Sequence, residues 1–191
     1  MEPPTLSGHG VTLRPLLPDD AAALFGGLDA ALWAGMTEPL PVSVEGLAEV
    51  FARRIASPDA LFFAAVDAES GKLAGTTSYY DIAPHRLEIG HTFYLREHWG
   101  TRVNPAAKLL LLTHAFEVLG VARVAFRCDS RNERSAGAIR RLGAVYEGTL
   151  RNHRVDPAGQ IADTAYFSII AREWPRVHAG LMERLVAPGK G

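Results

Sequence analysis

The stretch LREHWGTRVNPAAKLLLLTHAFEVLG, residues 95–120, decides the fold because a turn, a helix start and a buried helix follow one another. Asn104 is a favoured N-cap residue, and Pro105 suits the first helical position, where no N–H is needed. The helix interior is apolar nearly all round, which predicts burial. Its unpaired N–H groups face the turn at Gly100 and, with the Arg102 cation, predict a site for phosphate or pyrophosphate. An ordinary capped helix that binds nothing is the alternative.

A second segment, CDSRNERSAGAIRRLG, residues 128–143, also combines a turn with signals for the start and the end of a helix. Asn132 is a candidate N-cap, Glu133 suits the first turn, and Gly143 ends the helix. The apolar residues repeat at helical spacing and predict a buried stripe, which leaves the arginines for solvent or for an anion.

The remaining pattern predicts a mixed α/β fold. Short alternating runs at residues 11–16, 60–66, 72–81 and 87–95 read as strands, and the last three form an antiparallel meander. The strand, helix, strand order over residues 87–126 implies a right-handed crossover and hence one parallel pair. Period two along LEIGHTFYL predicts one face made of Leu87, Ile89, His91, Phe93 and Leu95, and the other of Glu88, Gly90, Thr92 and Tyr94.

Length and composition predict a single domain over residues 1–191, with a core of about 8–175 and a last helix of about 174–186. That helix closes the domain or meets a second subunit, so a homodimer is left open. No run approaches the roughly 18 apolar residues of a membrane span. No secretory signal is visible, and a lone Cys128 suits a reducing compartment, so a cytoplasmic location is expected.

Charge and spacing disfavour two other classes of function. A net charge of −1 disfavours a nucleic-acid binder, although the arginine-rich region 123–154 leaves a weaker RNA-binding alternative. A solvated face, or a contact surface for a cofactor's adenosine phosphate, explains those arginines more economically. The histidines lack the close pairing of metal ligands, so no metal is expected.

Taken in order, WGTRVNPAAKLLLLTHAFEVLG, RNERSAGAIRRLG and YEGTLRNH resemble the GNAT superfamily of acetyl-CoA-dependent N-acetyltransferases, specifically its RimJ/RimL branch of ribosomal-protein acetyltransferases. The similarity runs from residues 11–25 to residues 163–175. It implies the acyl-CoA N-acyltransferase fold: a central, mostly antiparallel sheet with one splayed parallel pair, flanked by helices. It also implies acetyl-CoA as cosubstrate and an amine as acceptor.

The resemblance further implies roles for individual residues. Ser135 matches the serine of this branch and is expected to protonate the leaving thiolate. Glu88 lies on the strand where these enzymes commonly place a general base, and a solvent-exposed strand glutamate is its alternative reading. In the bulky loop after residue 30, Trp33 and Met36 are candidate substrate contacts or ordinary packing. Cofactor binding falls on Phe93, Tyr94, Leu95, Gly100, Thr101, Arg102, Val103, Asn104 and Asn132.

Two positions depart from the superfamily's pattern. Arg102 stands where the pyrophosphate loop usually has a second small residue, and Ile139 stands where many of these enzymes have a tyrosine acid. The expected reaction is direct acetyl transfer in a ternary complex, most favourably to a protein N-terminal α-amine. Acetylation of a small amine, such as an amino acid, polyamine or aminoglycoside, and a non-catalytic module that binds coenzyme A are the alternatives.

Overall fold

In the part of the chain that the structure describes, the fold is one eight-stranded sheet with helices on both faces. The computed structural model describes residues 2–156 and 158–186. Strand order is β1-β2-β3-β4-β5-β6-β8-β7, and of the described pairs only β5–β6 is parallel, which confirms the predicted fold class. The strands are β1 Leu6–Gly8, β2 Val11–Pro15, β3 Leu61–Asp67, β4 Leu73–Ala83, β5 Arg86–Tyr94, β6 Arg123–Asp129, β7 Val145–Val155 and β8 Ile161–Ile170.

The α-helices of the described residues divide between the two faces and make two hydrophobic cores. One core joins the inner faces of α4, α5 and α6 to the sheet, and the other joins α1, α2 and α3 to the opposite face. Within the described residues, no helix combines the length and the apolar character needed to cross a membrane. The helices are α1 Ala21–Leu24, α2 Ala30–Trp33, α3 Val44–Ile55, α4 Val103–Thr113, α5 Glu133–Arg141 and α6 Trp174–Val186.

The two predicted helix starts differ in outcome. Asn132 caps α5 as predicted, since its Oδ1 accepts from the N–H of Ser135 at 2.9 Å. The prediction that Asn104 caps α4 was wrong, because α4 begins at Val103 and Asn104 lies inside the first turn. The Oγ1 of Thr101 accepts from the Val103 N–H at 3.3 Å and takes the role that a capping residue would have.

A β-bulge interrupts the alternation of β5. Thr76 pairs with Phe93 and Ser78 pairs with Gly90, so one residue of β4 opposes two of β5, and the φ angle of His91 is +46°. Up to Ile89 the apolar side chains face α4, whereas Phe93 packs in the other core beside α2. The predicted common face of residues 87–95 was therefore wrong beyond the bulge, because one extra residue reverses the direction of every later side chain.

The parallel strands part directly after they pair. Strand β5 pairs with β6 only at Arg86, Leu87 and Glu88, although both strands continue beyond that point. The antiparallel pairing of β6 with β8 continues to Asp129, so it is β5 that diverges. A gap opens in the sheet, as the family resemblance implied. A single domain over residues 1–191 stays a prediction, since residues 187–191 lie outside the described part.

Candidate active site

The gap between β5 and β6 is a cleft of about 360 Å³. Its first wall is the bulged part of β5, its second is the end of β6 with α5, and its mouth is the turn that leads into α4. At the far end, the loop after α2 contributes Gly35 and Met36. The cleft therefore connects the N-terminus of α4 with the core beneath α2 and α3.

Several predicted cofactor contacts meet in this cleft, and others do not. Phe93, Tyr94, Gly100, Asn104 and Asn132 line it. Of these, Gly100 lies in the turn before α4 and Asn104 lies in the first turn of α4, where the unpaired N–H groups and the helix dipole favour an anion. The remaining predicted contacts, which lie outside the lining, are Leu95, Thr101, Arg102 and Val103.

Arg102 adopts an unstrained position where the family usually has a small residue. Its φ and ψ angles are −65° and −18°, a region open to any L residue. The guanidinium donates to the Glu69 carboxylate at 2.7 Å and packs against Gly10, away from the cleft. The preceding Gly100 has a φ angle of +74°, and no atom of the described residues would lie within 4 Å of a Cβ there. Glycine is therefore required by the backbone conformation of the turn and not by a close neighbour. Arg102 thus leaves the mouth of the cleft clear.

Ser135 stands at the third position of α5 and faces the cleft. Burial raises the pKa of the nearby Cys128 thiol, and the Ser135 hydroxyl beside it lowers that pKa by less. The net shift is upward, so the thiol of Cys128 stays protonated near neutral pH. A hydroxyl held in the cleft beside a neutral thiol is chemically able to donate a proton to a leaving group.

Glu88 lies outside the cleft lining. Its carboxylate is buried, and Oε2 lies 3.4 Å from Nε of Arg127, close to Tyr80. Among the described residues Oε2 has no hydrogen-bond partner. The residue is therefore neither the exposed strand glutamate of the alternative reading nor a group that reaches the cleft, and its role as a base stays a prediction.

The two candidate substrate contacts occupy different positions. Met36 lines the cleft, and its carbonyl oxygen accepts from Arg154 at 3.0 Å. Trp33 is buried against Phe93, and its indole N–H donates to the carbonyl of Glu38 at 2.8 Å. Trp33 supports the wall of the cleft from behind, while Met36 forms part of its surface.

The lining also includes polar and charged residues that had no predicted site role, among them His91, Trp99, Lys108 and Arg134. The indole N–H of Trp99 donates to the carbonyl of Tyr94 at 2.7 Å, and the guanidinium of Arg134 stacks 4.2 Å above the Trp99 ring. Trp99 thereby links β5 to α5 across the mouth. The only sequence feature that pointed to Trp99 was its position before Gly100. No sequence feature distinguishes Arg134 from the other arginines of α5.

Lys108 is a buried amine on the cleft side of α4. Its Nζ donates to the hydroxyls of Thr92 at 3.0 Å and Thr77 at 3.3 Å, so it joins α4 to β5 and β4. Removal from water disfavours the charged form and lowers the pKa of Lys108 to about 7. In sequence it is the single charged residue of an apolar helix, and no role was predicted for it.

We expect the wild-type protein to gain stability relative to Lys108→Met as the pH rises from 7 toward 10. In this range the folded amine has lost its proton while the unfolded chain keeps it. The wild-type free energy of unfolding therefore rises with a slope approaching about 1.4 kcal/mol per pH unit from this group. Urea unfolding of both proteins at pH 6, 7.5 and 9 measures the difference. The exposed Lys72→Met is the control, and parallel pH curves for wild type and Lys108→Met would contradict the expectation.

The comparisons with known proteins agree with this geometry. A family model described as an acetyltransferase (GNAT) domain matches residues 11–145. A crystal structure provisionally titled an acetyltransferase, from T. thermophilus, is 36% identical, covers 97% of this chain and 98% of its own, and superposes with a TM-score of 0.90.

Two further relatives are more distant or partial. YdaF of Bacillus subtilis, provisionally named a ribosomal N-acetyltransferase, is 33% identical over 106 residues, which is 54% of this chain and 57% of YdaF. The chain thus spans somewhat more than half the length of that curated relative. Mycobacterium smegmatis RimJ in complex with CoA-disulfide is 21% identical, covers 96% of this chain and 97% of its own, and has a TM-score of 0.78, a similarity of fold.

Proposed function

Because this chain belongs to the GNAT acetyltransferase family, we propose that it transfers an acetyl group from acetyl-CoA to a protein N-terminal α-amine. The observation that carries the proposal is the cleft where β5 leaves β6, which runs from the N-terminus of α4 to Met36. A long acyl carrier with an anionic head needs a passage of this kind through the sheet. The similarity to the RimJ/RimL branch is in accord with it.

The residues of the cleft offer contacts to the diphosphate and to the pantetheine arm of acetyl-CoA. The first turn of α4, with Gly100 and Asn104 at the mouth, offers amide N–H groups to the diphosphate. The parted strand β5 offers main-chain groups near Phe93 and Tyr94 to an extended pantetheine arm. Acetyl-CoA, when bound, supplies an activated thioester. The fold relative from M. smegmatis carries a CoA derivative, which supports the same ligand class here.

The choice of acceptor follows from basicity. An α-amino group has a pKa of about 7.7–8.0 against about 10.4 for a lysine, so a larger fraction is neutral near pH 7 and a weak base suffices. The name of the B. subtilis relative points to ribosomal proteins as acceptors of that protein, which favours the same class for this chain. The cleft end at Gly35 and Met36 is where an extended N-terminus would enter.

The side chains support direct transfer in a ternary complex. A main-chain N–H of β5 would hold the oxyanion, and Ser135 would protonate the departing sulfur. A covalent acetyl-enzyme is disfavoured, since burial raises the pKa of Cys128 and so keeps its thiol protonated.

Thiol release from acetyl-CoA tests the acceptor class. Purified protein is offered three acceptor sets: peptides with a free N-terminus and no lysine, peptides with a blocked N-terminus and one lysine, and a pool of amino acids, polyamines and aminoglycosides. We expect turnover with the first set alone. Turnover confined to the small amines would assign the runner-up function, and binding of acetyl-CoA without turnover on any set would favour a non-catalytic module.

Asn104→Asp tests the diphosphate site with little change in shape. We expect the dissociation constant for acetyl-CoA to rise at least about tenfold, since a carboxylate at the mouth repels the diphosphate. Thermal stability should stay equal or rise, because a carboxylate in the first turn of α4 favours the helix dipole. Calorimetric titration and thermal unfolding measure the two effects. Gln160→Glu adds the same charge on an exposed strand-connecting turn, and equal losses in both variants would contradict the site.

A further inference from the structure

We propose that His91 is the base that takes the proton lost by the acceptor amine, an inference that rests on the proposed acetyl transfer. The imidazole lines the cleft on β5, at the bulge where this strand turns away from its neighbour. Glu88, the base implied by the family resemblance, lies on the same strand but outside the lining. The two residues therefore compete for one role, and their surroundings distinguish them.

The hydrogen bonds of His91 determine which ring nitrogen carries the proton. Its Nδ1 lies 3.0 Å from Oγ of Ser78, and the same Oγ lies 3.0 Å from the carbonyl oxygen of Gly90. A carbonyl only accepts, so the single hydroxyl proton of Ser78 points to Gly90. The Ser78 oxygen must then accept from Nδ1–H, which leaves the lone pair on Nε2. The chain Gly90, Ser78, His91 thus prepares Nε2 as a proton acceptor.

Nε2 is open to the cleft. Among the described residues it has no hydrogen-bond partner, and it is not one of the fully enclosed polar atoms that lack one. The ring is held between Phe62 and Tyr80, with centroid distances of 5.3 and 4.8 Å. The side chain lies on the same side of the sheet as Phe93, because it packs against Phe62, which belongs to the same core as Phe93, and the φ angle at the bulge is +46°. Packing and backbone together leave the imidazole little freedom to turn away.

Burial and the charges around the cleft keep the imidazole of His91 unprotonated before the reaction. Burial and the nearby cations Arg54 and Arg127 lower the pKa of His91 to about 4, so the imidazole is neutral and able to accept throughout the physiological range. The carboxylate of Glu88 instead lies 3.4 Å from Arg127, close to Tyr80. Glu88 is therefore paired with a cation that itself lines the cleft, while its own side chain lies outside the lining.

The proton balance suits a weak base. As the amine nitrogen bonds to the acetyl carbonyl carbon, it becomes positively charged and strongly acidic, so a neutral imidazole is able to remove its proton. The carbon–sulfur bond then breaks, the sulfur takes the proton of the Ser135 hydroxyl, and the amide is released. The proton on His91 returns to Ser135 through solvent, which restores both groups.

His91→Asn removes the base and keeps its support. The Asn side-chain amide is able to donate to Ser78 as Nδ1–H does, and asparagine tolerates positive φ. We expect kcat to fall roughly 100-fold, within the usual range for a general base, with the dissociation constant for acetyl-CoA and the melting temperature unchanged. The control His85→Asn changes an exposed histidine in the β4–β5 turn and should retain full activity.

The other outcomes separate this inference from the proposed function. Less than a tenfold loss in His91→Asn would overturn the base assignment, as would a loss that is matched by weaker acetyl-CoA binding or a lower melting temperature. A loss confined to Glu88→Gln, with His91→Asn active, would return the role to Glu88. Wild-type protein without turnover on any amine would overturn the proposed function, and the base assignment with it.

Discussion

Gly75→Ala is expected to abolish the folded sheet around the cleft. Gly75 has a φ angle of +156°, and a Cβ there would lie 2.0 Å from the carbonyl oxygen of Phe93 and 2.8 Å from Cα of Tyr94. Both atoms belong to the backbone of β5, so no side-chain rotation relieves the contact. Strands β4 and β5 must separate at the end that forms the cleft wall. We expect the free energy of unfolding to fall by more than about 4 kcal/mol, a loss that few substitutions cause and that is typical of severe steric disruption.

Soluble yield and urea unfolding of Gly75→Ala against wild type provide the measurement. Gly71→Ala is the matched control, since Gly71 also has a positive φ angle, at +69°, but none of the atoms that the structure describes would lie within 4 Å of its Cβ. The control should lose only about 1–2 kcal/mol, the cost of a left-handed conformation for an L residue. If both variants lost the same stability, the close approach of β4 and β5 at Gly75 would not be the cause.

Ser135→Ala is expected to lower kcat by roughly 10²–10³-fold, within the range for loss of a general acid. The Oγ lies in the cleft beside the Cys128 thiol, whose raised pKa leaves it a poor substitute at neutral pH. The fold should be unaffected, because the cap of α5 uses the main-chain N–H of Ser135 and not its hydroxyl. Steady-state thiol release, with calorimetry for acetyl-CoA binding, separates the chemical step from affinity.

Two further variants sharpen the test of Ser135. Ser130→Ala removes an exposed hydroxyl at the end of β6 and should behave as wild type. Ser135→Cys keeps a proton donor of similar size and should recover part of the lost rate. Ser135→Ala with wild-type kcat would show that the thiolate leaves unaided or takes its proton from water. A fall in acetyl-CoA affinity without a fall in kcat would make Ser135 a binding residue instead.

Much of the fold was predictable because its signals are local. A cap such as Asn132 satisfies a main-chain donor three residues away, and alternation over five to ten residues marks a strand. The order strand, helix, strand then admits one handedness, which predicted the parallel pair. The wrong cap at Asn104 shows the limit of the same rule, since Thr101 competed for the role from three residues upstream.

The site was less predictable because its members meet across the sheet. The bulge in β5 depends on how β4 pairs with it, so no periodicity within residues 87–95 reveals that His91 and Phe93 leave the face of Ile89. The burial of Lys108 depends on the hydroxyls of Thr77 and Thr92 in two other elements. Each of these contacts joins residues more than ten positions apart.

By itself, the sequence determined the strand, helix, strand order around the parallel pair, the helix that begins at the mouth of the cleft and the family to which the chain belongs. Local hydrogen bonds, periodicity and chain connectivity depend on residues that are close in sequence, so each can be predicted from one short segment. The tertiary structure decided that Arg102 turns to Glu69, that Glu88 is covered, and that the imidazole of His91 opens onto the cleft. Those outcomes depend on strand register and on burial by elements that are distant in sequence. The conformation and protonation of a side chain depend on neighbours that only the folded structure brings to it.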